Sequence, residues 1–150
     1  VVHNISLPPG CFGGGYVEQL FCNRLNPDEH PYFAEIASLE VSAHLFIERQ
    51  GQVTQFVPFT ERAWHAGHSS FAGRDNCNDY SIGIELEGTD DTAYTEAQYQ
   101  ALAAVTRHLM TVYPGLNRTR PVGHCDVAPG RKTDPGASFD WPRYLASVGF

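Results

Sequence analysis

At 150 residues the chain is long enough for one domain with a buried core. Its 42% hydrophobic and 18% charged content is that of a globular protein and excludes a disordered one. A formal net charge of -7 works against broad binding to nucleic acid or an anionic membrane, and no apolar run approaches the length of a membrane span. Any anionic ligand must therefore be held by a local basic cluster, for which Arg131 and Lys132 are the candidates. Four cysteines at 11, 22, 77 and 125 form no CxxC pair. They read as reduced thiols, with Cys11 and Cys22 the one pair near enough in sequence to suggest a bridge.

In chain order, residues 1–6 alternate as a strand, which Pro8-Pro9-Gly10 breaks. Val17, Leu20 and Phe21 lie at helical spacing, so residues 16–24 predict a short helix. Residues 26–32 read as loop. Val41, Ala43, Leu45 and Ile47 alternate with polar neighbours, Gln50-Gly51 turns, and residues 53–57 return, which is the clearest hairpin signal. Residues 60–80 read as a long polar loop, and loops of that length usually carry function. Ser81 to Glu87 is a strand with Ile82, Ile84 and Leu86 on one face, and Gly83, Glu85 and Glu87 on the other.

Thr95 and Gln98 form a capping box ahead of the stripe Tyr99, Leu102, Val105, Leu109 and Met110, and Pro114-Gly115 stops that helix. Residues 120–123 read as a short strand feeding His124. Asp140-Trp141-Pro142 caps a last helix to about Ser147. Strands interleaved with helices predict an α/β fold, a single domain over 1–150 with a central mixed β-sheet flanked by helices on both sides.

Residues 124–136 concentrate His124, Arg131, Lys132 and Asp134 in a Pro/Gly-rich loop with little apolar periodicity to bury. His3 follows a short apolar start at the other end of the chain. Two imidazoles and one carboxylate are zinc-compatible ligands that leave a fourth position open, as a catalytic zinc requires. Most histidines are surface or core residues with no such role, and His65 and His68 are a rival metal pair whose short, glycine-containing spacing suits a helical site poorly. His30, His44 and His108 are assigned no function. Glu85 is a candidate general base because small Gly83 shares its face, with Glu87 as the alternative; an ordinary solvated strand carboxylate is the plain reading of either. Lys132 is either an oxyanion partner or an exposed loop lysine. Trp64 is either a core plug or a platform for a sugar ring or peptide.

The segments Val-Val-His3-Asn4-Ile-Ser, Trp64-His65-Ala-Gly, Ser-Ile-Gly-Ile-Glu85-Leu-Glu-Gly and Gly-His124-Cys-Asp, followed by Gly-Arg131-Lys132-Thr-Asp134-Pro-Gly, resemble the AmpD-type N-acetylmuramoyl-L-alanine amidases. These are cytoplasmic bacterial enzymes that cleave 1,6-anhydro-muropeptides in cell-wall recycling; phage amidases and peptidoglycan-recognition proteins are more distant kin. The resemblance runs in order from Val1 to about Trp141. It implies Zn²⁺ held by His3, His124 and Asp134, with Glu85 as catalytic carboxylate and Lys132 as electrophilic assistant. It implies that Asn4, Trp64 and Arg131 line a substrate groove. It also implies an anhydro-muropeptide as substrate; a monomer is expected, and the charge and hydropathy above leave no nucleic-acid or membrane partner. Two departures stand out. The family carries a further stretch ahead of the Val-Val-His strand, and Asn76 stands where some relatives have arginine. A peptidoglycan-fragment binding module without catalysis is the competing reading; the complete set of His3, His124, Asp134, Glu85 and Lys132 favours the enzyme.

Overall fold

The alternation read in the sequence builds one mixed sheet. The computed structural model describes all 150 residues. In chain order they form β1 (Val2–Ile5), α1 (Tyr16–Phe21), α2 (Pro31–Ile36), β2 (Leu45–Ile47), β3 (Val53–Gln55), β4 (Ser70–Phe71), β5 (Arg74–Asp75), β6 (Ile84–Glu87), α3 (Glu96–Val112), α4 (His124–Val127) and α5 (Trp141–Val148). The main sheet has strand order β1-β6-β2-β3. β6 pairs in parallel with both β1 and β2, and β2 with β3 closes the expected hairpin antiparallel.

Period-2 alternation sorts each strand between two cores. Val2, Ile84, Leu86, Leu45 and Ile47 pack with Leu102, Ala103 and Leu109 of α3 and Tyr144 and Val148 of α5. The opposite face carries Phe46, which packs with Val17, Leu20 and Phe21 of α1 and Phe33 of α2. Helices therefore cover both faces, as the sequence predicts. The central strand must be apolar on one face and can carry polar cargo on the other only where a site needs it.

α3 starts at the expected box: Thr95 Oγ1 accepts from the Gln98 backbone N–H, and Gln98 Oε1 accepts from the Thr95 N–H, each at 3.1 Å. Gln98 is fully buried and reaches further, donating from Nε2 to the carbonyls of Ile47 and Glu87 at 3.2 and 2.8 Å. One amide thus ties the helix start to the ends of β2 and β6. Gln98→Leu keeps the volume but orphans buried groups, each worth about 1–3 kcal/mol. A loss of that order, read by urea unfolding, is the expected result; an unchanged midpoint would mean the carbonyls find other donors.

Four expectations need correction. Residues 26–32 are not wholly loop, because α2 starts at Pro31. Its cap is His30, whose Nδ1 accepts from the Tyr32 N–H at 3.1 Å, a role usually taken by Ser, Thr, Asp or Asn. Residues 60–80 are not structureless, since β4 and β5 pair as a hairpin. Its turn puts Ala72 and Gly73 at φ of 52° and 80°, and an alanine in that conformation gives no turn signal. Residues 120–123 form only one bridge, between Val2 and Gly123, because Pro121 has no N–H for a longer ladder. Residues 124–136 are not wholly loop, because α4 spans His124–Val127; the remaining elements agree in type, with β1, α1, β2, β3 and β6 shorter than the pattern suggested. All four cysteines are free, as the composition implies.

Candidate metal centre and active site

Parallel pairing sets His3 of β1 directly beside Glu85 of β6. Both project from the face opposite Val2, Ile84 and Leu86, and both are buried. The third group arrives from the far end of the sequence. Val2 donates to the Val122 carbonyl at 2.8 Å, and the chain then enters the single turn α4 at His124. Ten residues on, the loop curls back, and the Cys125 N–H donates to the Asp134 carbonyl at 3.0 Å. Gly136 is required at this return: its φ is +78°, and a Cβ there would lie 2.3 Å from Asp90 Cα.

The result is a triangle of three donor atoms. His3 Nδ1 and His124 Nδ1 are 2.9 Å apart, and Asp134 Oδ2 lies 3.2 and 3.1 Å from them. A tetrahedral zinc with bonds of about 2.0–2.2 Å has ligand-to-ligand edges of about 3.3–3.6 Å, so the triangle is just inside that size. The His124 proton is located by its partner. Nε2 lies 3.1 Å from the Ala66 carbonyl, which can only accept, so Nε2 carries the hydrogen and Nδ1 presents a lone pair to the triangle. Burial, with the nearby His124 adding to it and Asp134 opposing, lowers His3 to about 4. A neutral imidazole beside a carboxylate is the protonation state that a metal takes. Lone pairs this close repel unless a proton or cation lies among them, so the residues fit a small divalent ion.

Glu85 stands beside this triangle. Its Oε1 is 4.0 Å from His3 Nδ1, and its Oε2 is a buried oxygen with no hydrogen-bond partner. Burial raises its pKa well above the ordinary carboxylate value, the charge of Asp134 adds to that, and Lys132 opposes it. An orphaned, proton-hungry carboxylate is expensive to keep and is poised to exchange protons. Glu87, the alternative, has another job. Its two oxygens accept from the backbone N–H groups of Gly13 and Arg49, so it pins the glycine-rich loop.

Of the other expected site residues, Asn4 and Arg131 brace the loops around the triangle, and Lys132 and Trp64 are exposed. Asn4 donates from Nδ2 to Asp90, to the Tyr94 hydroxyl and to the Pro135 carbonyl, which braces the loop that carries Asp134. Arg131 donates to the carbonyls of Ala66 and His68, strapping residues 65–68 to the same loop. Lys132 is exposed at the rim. Trp64 is 56% exposed, with the Arg62 guanidinium 4.0 Å over its ring. It borders a cleft of about 470 Å³ with Phe21, Asn23 and Glu40, so it is not a core plug. The rival pair is not formed: His65 faces His3, and the cluster able to hold a metal is His3, His124 and Asp134. Sequence reasoning missed the part played by Ala66, whose carbonyl meets both His124 and Arg131; a backbone acceptor leaves no trace in residue type.

Comparison with known proteins agrees with this geometry. The family model described as N-acetylmuramoyl-L-alanine amidase matches residues 1–137. The 1,6-anhydro-N-acetylmuramyl-L-alanine amidase AmpD of Salmonella typhimurium is 62% identical over 148 residues, covering 99% of this chain and 79% of its own. The crystal structure of a selenomethionine AmpD derivative superposes with a TM-score of 0.96 at 62% identity, covering 99% of this chain and 82% of that one. AmpDh3 from Pseudomonas aeruginosa in complex with anhydromuramic pentapeptide superposes with a TM-score of 0.76 at 28% identity, covering 97% and 57%. With sequence match and superposition in accord, the chain belongs to the N-acetylmuramoyl-L-alanine amidase family.

Proposed function

We propose that this protein hydrolyses the amide bond between the lactyl group of 1,6-anhydro-N-acetylmuramic acid and the L-alanine of a stem peptide. The reaction is zinc-dependent and belongs to peptidoglycan recycling in the bacterial cytoplasm. Residues 1–150 form the amidase domain, which works as a monomer. The observation that carries the reading is the triangle of His3, His124 and Asp134 with the unpartnered Glu85 carboxylate beside it. The AmpD likeness and the AmpDh3 complex with anhydromuramic pentapeptide support the substrate class. No helix is long and apolar enough to cross a membrane.

His3, His124 and Asp134 hold the ion. Zinc, when bound, supplies Lewis acidity at the scissile carbonyl and lowers the pKa of water towards about 7. Glu85 takes a proton from the attacking water. Its raised proton affinity then suits it to deliver that proton to the departing alanine nitrogen, which would be a poor leaving group as an anion. The Lys132 ammonium balances the negative charge that grows on the carbonyl oxygen. Asn4 and Arg131 set the position of the loop around the substrate, and Trp64 offers an apolar face to a sugar or peptide.

Zinc-loaded protein incubated with an anhydro-muramyl tripeptide is expected to release the free tripeptide and anhydro-N-acetylmuramic acid, detected by mass spectrometry. Tight binding without products would instead identify a binding module and sink the enzymatic reading. Lys132→Ala is expected to lower kcat by about 10²–10³, the usual cost of one oxyanion donor, while zinc stoichiometry stays the same. Full turnover in that variant would remove Lys132 from the mechanism.

A further inference from the structure

The metal reading leaves a half-buried histidine beside the triangle unused. His65 was set aside as half of a rival metal pair, yet its Nδ1 lies 2.9 Å from His3 Nε2, the nitrogen of His3 that faces away from the triangle. Which of the two carries the proton decides whether His3 can bind a metal at all. The answer comes from the next partner along. The Ser81 hydroxyl is 2.6 Å from the Cys77 carbonyl, which can only accept, so the single hydroxyl proton is committed there. Ser81 Oγ also lies 3.3 Å from His65 Nε2 and can therefore only accept from it. A neutral His65 with its hydrogen on Nε2 has a bare Nδ1, which must accept from His3. His3 then carries its hydrogen on Nε2 and presents the lone pair of Nδ1 to the triangle.

The surrounding packing holds His65 in this pose. Its ring lies against the backbone of Gly83, where a Cβ would come within 2.4–2.7 Å of three ring atoms. His44 stands edge-on to it at 5.8 Å and accepts the Gly83 N–H through Nδ1. The backbone N–H groups of His65 and Ala66 both donate to Asn78 Oδ1, at 3.0 and 2.8 Å. The neighbouring Ala66 carbonyl is the acceptor that orients His124.

We propose that His65 is a positioning residue, and that the His65-Ala66 dipeptide is a two-pronged clamp setting the ligating tautomer of both histidines: the His65 side chain holds His3 and the Ala66 carbonyl holds His124. Gly83 is then small to admit the clamp's ring, and Ser81 is the anchor that sets its direction. Partners of this kind typically change metal affinity by about 10–100-fold when removed. The inference rests on the zinc reading above and goes beyond it in assigning residues outside the metal cluster.

The test compares His65→Leu, which fills the space without an acceptor, with His65→Asn, whose Oδ1 can take the place of Nδ1. Zinc affinity is measured by chelator competition, with circular dichroism as a check on folding. His65→Leu is expected to weaken zinc binding by about 10–100-fold, and His65→Asn to restore most of it. Equal affinities in the two variants would overturn the clamp, because a packing role does not distinguish an acceptor from a methyl group. In the zinc-loaded wild type, nitrogen NMR is expected to show a scalar coupling across the hydrogen bond from His3 Nε2 to His65 Nδ1. Its absence overturns the proposal even if His65→Leu fails to fold. A wild-type protein that binds no zinc would sink the metal reading and the clamp with it, whereas tight zinc with indifferent variants sinks the clamp alone.

Discussion

Glu85→Gln is expected to abolish most turnover while leaving the protein folded and metal-loaded. The substitution keeps shape and volume but removes the ability to take a proton, and general acid–base catalysis by one such group is worth about 10²–10⁴ in rate. In the proposed mechanism two proton transfers use this carboxylate, one from water and one to the amine, so the upper part of that range is expected. Zinc should remain, because Glu85 stands 4.0 Å from His3 Nδ1 and outside the triangle of donor atoms. Stability should rise. The native protein buries a carboxylate with one unpartnered oxygen and a strongly raised pKa, and a neutral amide removes the penalty on the charged form. A higher Tm together with lost activity is the combined signature, measured by calorimetry and by product release. Parallel loss of zinc would make Glu85 a structural or ligating group instead, and retained activity would move the base elsewhere.

On the proposed zinc reading, removal of the metal is the second large effect. Asp134→Ala deletes the one anionic ligand and leaves two neutral imidazoles, so zinc affinity should fall by more than the roughly 10–100-fold typical of residues behind the ligands. Activity should fall with it. A chelator should do the same to the unaltered protein without unfolding it. Neither large apolar cluster of the fold contains His3, His124 or Asp134, so the sheet and its helices have a core that does not depend on the ion. The melting transition should stay cooperative and shift to lower temperature, by the amount set by ligand linkage, and zinc should restore both Tm and turnover. Loss of the folded state on chelation would make the metal structural. A chelator-resistant, fully active protein would remove the metal from the mechanism altogether.

The parts of the fold legible in the sequence are those where one face must be apolar and the other not. α3 announces itself through a capping box and a stripe at helical spacing, and its buried residues Leu102 and Leu109 lie on that stripe. β6 reads as a strand because Ile84 and Leu86 alternate with the carboxylates. What escaped was local chemistry with no preferred residue behind it. A histidine caps α2, an alanine takes a left-handed turn between β4 and β5, and Trp64 ties its carbonyl to Ser42 where an earlier start of β2 was expected.

The site divides along the same line. Residue type and the order of motifs along the chain were enough to nominate His3, His124, Asp134, Glu85 and Lys132, since few side chains bind zinc or move protons at neutral pH. The resemblance already favoured Glu85 over Glu87, and the tertiary structure adds the physical difference between them. Both point to one face with identical period, but Glu87 meets two backbone N–H groups and Glu85 meets none at Oε2. Tertiary structure also decides for His65, whose meaning depends on Ser81, Gly83 and His3 reaching it from two separate segments. A sequence by itself determines which chemical groups are available and how they alternate along each element. Only folding decides which of them lose water and which partners they find, and those two quantities set where each proton sits.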